Sequence, residues 1–306
     1  MNFFKQFFLP SCARLKEHYL PVSLPVKDEV LFCEVSNTLK ISIVIPSFNQ
    51  AQFIEHTLRS LQRQNYSTLE VVVVDGGSTD STVEILDRYN DFIDYWISEP
   101  DKGQADAINK GMKLATGDIL AWLNSDDILL PNALHEVANY FHKSCDVDVV
   151  YGHRVLCNEE GQDIGKWIIA QHSGLSTSYA DFVPQETMFW RRAIWEKVGS
   201  ALDDSFQFAL DWELIMRFSR ANAKFVRIPY FLGGFRLHEE QKTQANIEEV
   251  GFKEMELVRN IHLDEIGKFG VSRKVYLVVQ KVSFIVFLLR SRAVELLWKL
   301  GIIKIG

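Results

Sequence analysis

The 306-residue sequence has few cysteines and no C-x-x-C pair. Cys12, Cys33, Cys145 and Cys157 are scattered, which argues against a zinc site and suits a reducing compartment. No G-x-G-x-x-G follows the first strand-like run, where Pro46-Ser47-Phe48-Asn49-Gln50 stands instead, so a dinucleotide-binding domain fails its main test. A P-loop is missing too. Long apolar runs are also absent: no uncharged stretch approaches the roughly 20 residues that a spanning helix needs. The opening residues are apolar, but Lys5 interrupts them and no long hydrophobic region follows, so no signal peptide is expected. Nor is there an excess of positive charge. Lys and Arg number 33 against 40 Asp and Glu, a net charge of −7, which gives no support for nucleic-acid binding.

What is present is an alternation. Apolar content of 47% and this length fit one large α/β domain or a domain with an appendage. Residues 1–39 show no clean periodicity and read as an arm. From Ile41 the chain alternates. Residues 41–45, 69–74, 93–97 and 118–123 read as strands. Residues 50–64, 81–89 and 104–115 read as helices, the second opened by the capping-box pattern Ser81-Thr82-Val83-Glu84 and the third closed by Gly117. Pro131 stands at a plausible N1 of a further amphipathic helix carrying Leu134, Val137, Ala138 and Phe141. Residues 147–151 are another strand. Beyond them, to about residue 240, short strands mix with a Gly/Ser-rich stretch and two helices over 191–198 and 211–220.

Such alternation implies a parallel sheet with right-handed crossovers, whose ligand binds outside the carboxyl ends of the strands. Each strand here ends in polar residues. The first runs into Ser47 and Asn49, the second ends at Asp75, the third at Glu99 and Asp101, and the fourth at Asn124, Asp126 and Asp127. The fourth end is the most telling. Trp122-Leu123-Asn124-Ser125-Asp126-Asp127 puts two carboxylates and an amide on the turn that closes a buried strand. Hard oxygen donors there suit a divalent cation that also holds substrate phosphates.

The motifs Ile43-Val44-Ile45-Pro46-Ser47-Phe48-Asn49, Val73-Val74-Asp75-Gly76-Gly77-Ser78-Thr79-Asp80, Glu99-Pro100-Asp101-Lys102-Gly103, Asp106-Ala107-Ile108-Asn109-Lys110-Gly111 and Asn124-Ser125-Asp126-Asp127 resemble, in this order, those of family 2 glycosyltransferases. The resemblance covers about residues 41 to 240. It implies the GT-A fold, a Rossmann-like, mostly parallel central sheet flanked by helices, and an inverting transfer from a nucleotide-diphosphate sugar assisted by Mg²⁺ or Mn²⁺.

By that resemblance Pro46, Ser47 and Asn49 would line the nucleotide pocket and Asp75 would bind the base. Asp101, Lys102 and Gly103 would lie near the ribose and donor sugar, and Asp106 and Asn109 would face the donor. Asn124-Ser125-Asp126 matches the family's D-x-D motif with Asn124 in place of the first acid. Asp126 would then be the main metal ligand, Asn124 a ribose contact, and Asp127 a further ligand, a group behind the ligand or a turn cap. Asp211, in Ala209-Leu210-Asp211-Trp212-Glu213, would be the catalytic base, with Glu213 as runner-up. An Asp at a helix N-terminus is also a routine cap, and burial must offset the helix dipole for it to serve as a base. Gln185 and Glu186 would hold the acceptor, unless Glu186 is merely a solvated edge residue. In the closing stretch 235–243, His238 would reach the metal or the diphosphate and Lys242 the phosphates.

The expected substrates are a nucleotide-sugar donor, a UDP-sugar above others, and an acceptor hydroxyl on a saccharide or a lipid-linked saccharide, in cell-envelope polysaccharide assembly at the cytoplasmic face of the membrane. The alternatives are a sugar-phosphate nucleotidyltransferase and a non-catalytic nucleotide-sugar-binding subunit. A nucleotidyltransferase should carry a Gly-rich, basic loop after the first strand, and Ser47-Phe48-Asn49-Gln50-Ala51 has none. The expected organisation is an arm over 1–39, a catalytic domain over 40–243 divided near 151, and a helical region over 244–306. From Lys268 onward that region holds eight basic residues and one acid, Glu295, among apolar runs. Two readings stay open for it: a helix lying on an anionic membrane surface, or a helix packed on the domain or on a second subunit of a homo-oligomer.

Overall fold

The computed structural model describes residues 39–171, 173–238, 241, 250–268 and 272–305. The expected arm, but for Leu39, and Lys242 lie outside the described residues. Four parallel strands form one half of a single sheet: β1 (Ile41–Ser47), β2 (Leu69–Asp75), β3 (Tyr95–Ser98) and β4 (Ile119–Trp122). They lie in the order β3-β2-β1-β4, with Ile41 level with both Leu69 and Ile119. Side chains alternate across β1. Ile41, Ile43 and Ile45 enter the core under α1 (Ile54–Gln62), α2 (Thr82–Arg88) and α4 (Ala133–Lys143), while Val44 enters the core on the other face, shared with α3 (Gln104–Leu114). A sheet buried on both faces explains why these strands read as unbroken apolar runs.

Several element ends differ from the sequence reading. The first helix starts at Ile54, not 50, and the turn before it is tied down by the Gln50 and Ala51 amides, which donate to Thr82 Oγ1 and Asp80 Oδ2 in the next loop. Ser81 makes no capping bond. Asp80 Oδ1 accepts from the Thr82 N–H at 3.0 Å and takes that role. Gly117 is not in the left-handed region. Its hydrogen-only side chain is needed for contact, since a Cβ there would stand 2.5 Å from Ser42 Oγ and 2.8 Å from Lys40 O. Pro131 lies outside α4, whose N-cap is Asn132 at φ +65°.

The second half of the sheet is built from β5 (Ile128–Leu129), β6 (Val149–Cys157), β7 (Asp163–Trp167), β8 (Phe189–Arg191) and β9 (Phe225–Arg236). β8 pairs antiparallel with both β4 and β6, and β9 runs parallel to β6. β5 pairs antiparallel with β9, with Ile128 level with Gly234. That short ladder has no sequence signal and turns out to matter most for the site. Gly234 allows it to close: a Cβ there would meet Ile128 Cγ1 at 2.8 Å. The remaining α-helices of the described residues are α5 (Gly174–Thr177), α6 (Arg192–Lys197), α7 (Leu210–Arg220), α8 (Phe252–Gly267) and α9 (Arg273–Lys299). Among the described residues no helix is long and apolar enough to cross a membrane.

Candidate active site

The carboxyl ends of β1, β2 and β4 open onto a cavity of about 740 Å³. Pro46 and Ser47 from the end of β1, Gly76 from the end of β2, and Asp101 and Gly103 before α3 line one side. Asn124, Ser125, Asp126 and Asp127 form its floor. Gln185, Glu186, Asp211 and His238 line it from the second half of the sheet.

The Asn124–Asp127 turn is fixed from behind. Thr57 Oγ1 on α1 donates to the carbonyls of Ser125 and Asp127 at 2.8 and 2.7 Å. Arg236, fully buried at the end of β9, donates from Nε to Asp126 O at 2.8 Å and from its backbone N–H to Asp127 Oδ1 at 3.1 Å. Pairing of β5 with β9 then carries His238 over the turn, and its Nε2 lies 2.9 Å from Asp126 Oδ2. The Asn124 amide accepts from Gln104 Nε2 at 2.7 Å and donates to Asp127 Oδ2 and Gln185 Oε1, each at 3.3 Å. Asp127 is buried with both oxygens engaged. Burial, with the Asp126 and Glu186 charges, pushes its carboxyl well above the usual range.

Opposite this floor lies a second group of charges. Glu186 is no solvated edge residue: it is buried and pairs bidentately with Arg154, Nε to Oε1 at 2.8 Å and Nη2 to Oε2. The Arg154 guanidinium stands over the rings of Phe235 and Trp167, 4.4 and 5.0 Å from their centroids. Asp211 faces the cavity at the start of α7. Burial raises its carboxyl to about 6, against the lowering effect of the Trp212 N–H that donates to Oδ1 at 2.8 Å. Asp181 lines the same wall. Burial and the neighbouring Asp211 charge push it well above the ordinary carboxylate range.

Other expected residues are placed differently. Asp75 is fully buried and holds the next loop, accepting from Ser78 N at 2.8 Å and Ser98 Oγ at 2.6 Å. Asn49 accepts from Thr79 N at 2.9 Å and ties the β1 loop to that same loop. Asp106 accepts from the Lys102 N–H at 3.1 Å, which with Lys110 holds its carboxyl below the usual range. Lys102 lines a neighbouring cavity of about 220 Å³. Both amide atoms of Asn109 bond the Leu202 backbone, at 3.0 and 2.7 Å, so this side chain locks α3 to the loop before α7. Glu213 is turned toward Arg217 Nε at 2.8 Å and Arg220, not into the cavity.

Sequence reasoning passed over Arg154, Asp181, Thr57 and the aromatic lining of Trp167 and Phe208. Only Asp181 carried a signal, as a lone acid between the apolar Ala180 and Phe182. The others come from elements with no motif.

Do these residues fit a divalent cation? Among the described residues no three His, Cys, Asp or Glu side chains form a preformed cage. Asp126 Oδ2 and His238 Nε2 are nevertheless spaced as a ligand pair. Adjacent ligands about 2.1 Å from an octahedral ion stand roughly 3 Å apart. Two protein donors with the remaining positions left to phosphate oxygens and water suit an ion that arrives with its substrate. The residues fit.

The model of the family described as "Glycosyl transferase family 2" matches residues 42–237. An uncharacterized glycosyltransferase of Rickettsia typhi is 26% identical over 220 residues, covering 69% of this chain and 68% of that one. Among solved structures, S. aureus TarS 1-349 in complex with UDP-GlcNAc superposes with a TM-score of 0.64 at 19% identity, over 81% of this chain and 72% of that one. The mannosyltransferase PcManGT from Pyrobaculum calidifontis, in complex with GDP-Man and Mn²⁺, gives a TM-score of 0.53 at 15% identity, over 91% and 93%. These likenesses establish the fold as that of GT-A glycosyltransferases.

Proposed function

The chain belongs to glycosyl transferase family 2 and is a glycosyltransferase, and from that premise we propose an inverting, metal-assisted transfer from a nucleotide-diphosphate sugar to an acceptor hydroxyl. The observation that carries the proposal is the division of the cavity. Asp126 and His238 converge on one side, and Asp211, raised to about 6, faces the same space from another wall.

The nucleotide lies along Pro46, Ser47, Gly76 and Asp101, where β1 and β2 end. Ser47 supports this position, since it lines the cavity and its buried Oγ has no hydrogen-bond partner among the described residues. Asp126 and His238 would hold Mg²⁺ or Mn²⁺, and the ion would supply positive charge to the leaving diphosphate. Asp127 and Arg236 keep Asp126 aimed. Asn124 faces the cavity with its amide shared among Gln104, Asp127 and Gln185, where it can meet the ribose. Asp211 takes the proton of the acceptor hydroxyl as that oxygen attacks the anomeric carbon from the face opposite the leaving group. A carboxylate whose pKa lies near the working pH is both ionised and basic enough for this step. Glu213 is the weaker candidate because its charge is already met by Arg217. Rings of Trp167, Phe182, Phe208 and Phe235 line the cavity, and such faces suit the apolar faces of a saccharide or the stem of a lipid-linked one.

UDP-sugars are the preferred donors. The two solved neighbours hold UDP-GlcNAc and GDP-Man respectively, so the base is the point to test. Thermal shift with UDP-, GDP- and dTDP-sugars plus Mn²⁺ should show stabilisation by one of them through mass action, and donor turnover should follow with a saccharide acceptor. Absence of any shift sinks the reading. Binding without turnover across a broad acceptor panel would restore the binding-only alternative.

A further inference from the structure

The longest helix among the described residues, α9, has two apolar faces and uses one of them. Gln280, Phe284, Phe287 and Ser291 recur at helical spacing and are buried against residues 170–182. Phe287 stacks on Phe182 with ring centroids 3.8 Å apart, Ser291 Oγ accepts from the Ala170 N–H at 2.9 Å, and Gln280 Nε2 donates to Ser178 Oγ at 2.7 Å. A rotation of about 100° per residue puts Val275, Val278, Val282, Leu289, Leu296 and Leu300 on the opposite side. All six are exposed, Val278 at 63%, Val282 at 55% and Leu289 at 65%. The stripe runs for about 38 Å at 1.5 Å per residue.

The charge around this stripe selects what covers it. Lys274, Lys281, Arg292 and Lys299 follow one flank at helical spacing, with Arg290 on the other. Residues 268–306 carry eight Lys and Arg and one acid, a net of +7, so a chain of net −7 leaves −14 on residues 1–267. A second copy seated on the stripe would bring two +7 segments together. Glu295 could not relieve that, since it already pairs with Arg292 and Lys299 of its own helix. An anionic lipid surface meets complementary charge instead, and it repels the acidic remainder of the molecule, so this face is the one that can approach. Apolar side chains between headgroups, with lysines beside the phosphates, is how an interfacial helix binds.

We propose that the outward face of α9 docks the enzyme on an anionic lipid surface, with the helix lying in the interface plane. Phe182, on which Phe287 stacks, lines the catalytic cavity next to Asp181. One layer of side chains therefore separates this wall of the cavity from the docked helix. Resting on the transfer reaction proposed above, this favours an acceptor presented at the bilayer, the lipid-linked class.

Co-sedimentation of the full chain with vesicles tests the docking without any substrate. Binding is expected to phosphatidylcholine vesicles containing phosphatidylglycerol, about tenfold or more weaker to pure phosphatidylcholine, and weakened again on moving from about 0.1 M to about 1 M salt as the screening length falls. The double variant Val282→Glu, Leu289→Glu should lose about tenfold or more in vesicle affinity, with an unchanged circular dichroism spectrum and unchanged donor hydrolysis in solution. Failure of the wild-type chain to bind, or equal binding by the variant, overturns the proposal. So does a lipid-free dimer in light scattering that the variant breaks, which would assign the stripe to a second copy. Donor hydrolysis is read in the absence of vesicles, so its failure would remove the transfer reading and leave the docking result standing.

Discussion

His238 Nε2 lies 2.9 Å from Asp126 Oδ2 although 112 positions separate them in the chain. The two meet because β5, directly after Asp127, pairs with Gly233 and Gly234 near the end of β9, which stops two residues before His238. If they share an ion, Asp126→Ala abolishes Mn²⁺-dependent donor turnover. His238→Ala should lower Mn²⁺ affinity in the presence of UDP by at least about 10- to 100-fold, measured by titration calorimetry. Unchanged affinity in both variants removes the metal assignment.

Asp211→Asn should leave donor affinity intact and reduce transfer by about 10² to 10⁴. The wild-type rate should fall as pH drops through about 6, because the base is then protonated, and the variant should lose that limb. The sign for stability is opposite. A folded pKa raised above the ordinary 3.8 means that the native state binds protons more tightly, so stability falls as pH rises through the window from about 4 to about 6. Asp211→Asn should therefore melt higher than wild type at pH 7. Lost donor binding, or a lower melting temperature, would take Asp211 out of this role.

Glu186→Ala should destabilise the protein by about 3–5 kcal/mol, since it strands the buried Arg154 guanidinium without its counter-charge. Glu186→Gln, which keeps a hydrogen-bond acceptor, should cost less. Denaturant unfolding of the two variants checks the order. A near-neutral Glu186→Ala would mean that water replaces the carboxylate in solution.

At the opposite end of the strands, Glu70 joins Lys40, Ser42 and Thr116, accepting from the Thr116 N–H at 2.7 Å and Lys40 Nζ at 2.5 Å. Burial opposes its ionisation, but these donors win and hold the carboxyl down at about 2, against the usual 4.5. That stability is present in full above the unfolded value and is lost as pH falls from about 4.5 toward about 2. Lys40 is partly exposed, so solvent screening keeps this contribution below the full value of the shift. Glu70→Gln should lower the melting temperature at pH 7, with the gap to wild type closing near pH 3. An equal gap at both values would show that packing, not ionisation, carries the effect.

The sequence by itself determined the parallel half of the sheet. Unbroken apolar runs over 41–45 and 69–74 specify strands buried on two faces, the helices between them dictate parallel neighbours, and polar strand ends then fall on one rim. Period and spacing are local properties, and they suffice to bring Pro46, Ser47, Asp101, Asn124 and Asp126 to that rim. Side-chain destinations were not legible in the same way. Asn109 and Asp75 sit in motifs as prominent as that of Asp126, yet Asn109 is taken by the distant Leu202 backbone and Asp75 by Ser78 and the Ser98 hydroxyl.

Tertiary structure decided the other wall. The two-residue strand β5 is too short to carry a period, and its register with β9, together with the β6 ladder that pairs Cys157 with Arg236, delivers Arg236 and His238 to the Asn124–Asp127 turn. The Arg154–Glu186 pair and the elevated Asp181 and Asp211 exist because β6, β8 and α7 exclude water from one volume. Desolvation belongs to the enclosure and not to the residue, so no pattern along the chain announces it. The same holds for α9: its sequence shows apolar residues all around, and only packing on residues 170–182 separates the face that holds the fold from the face left outward.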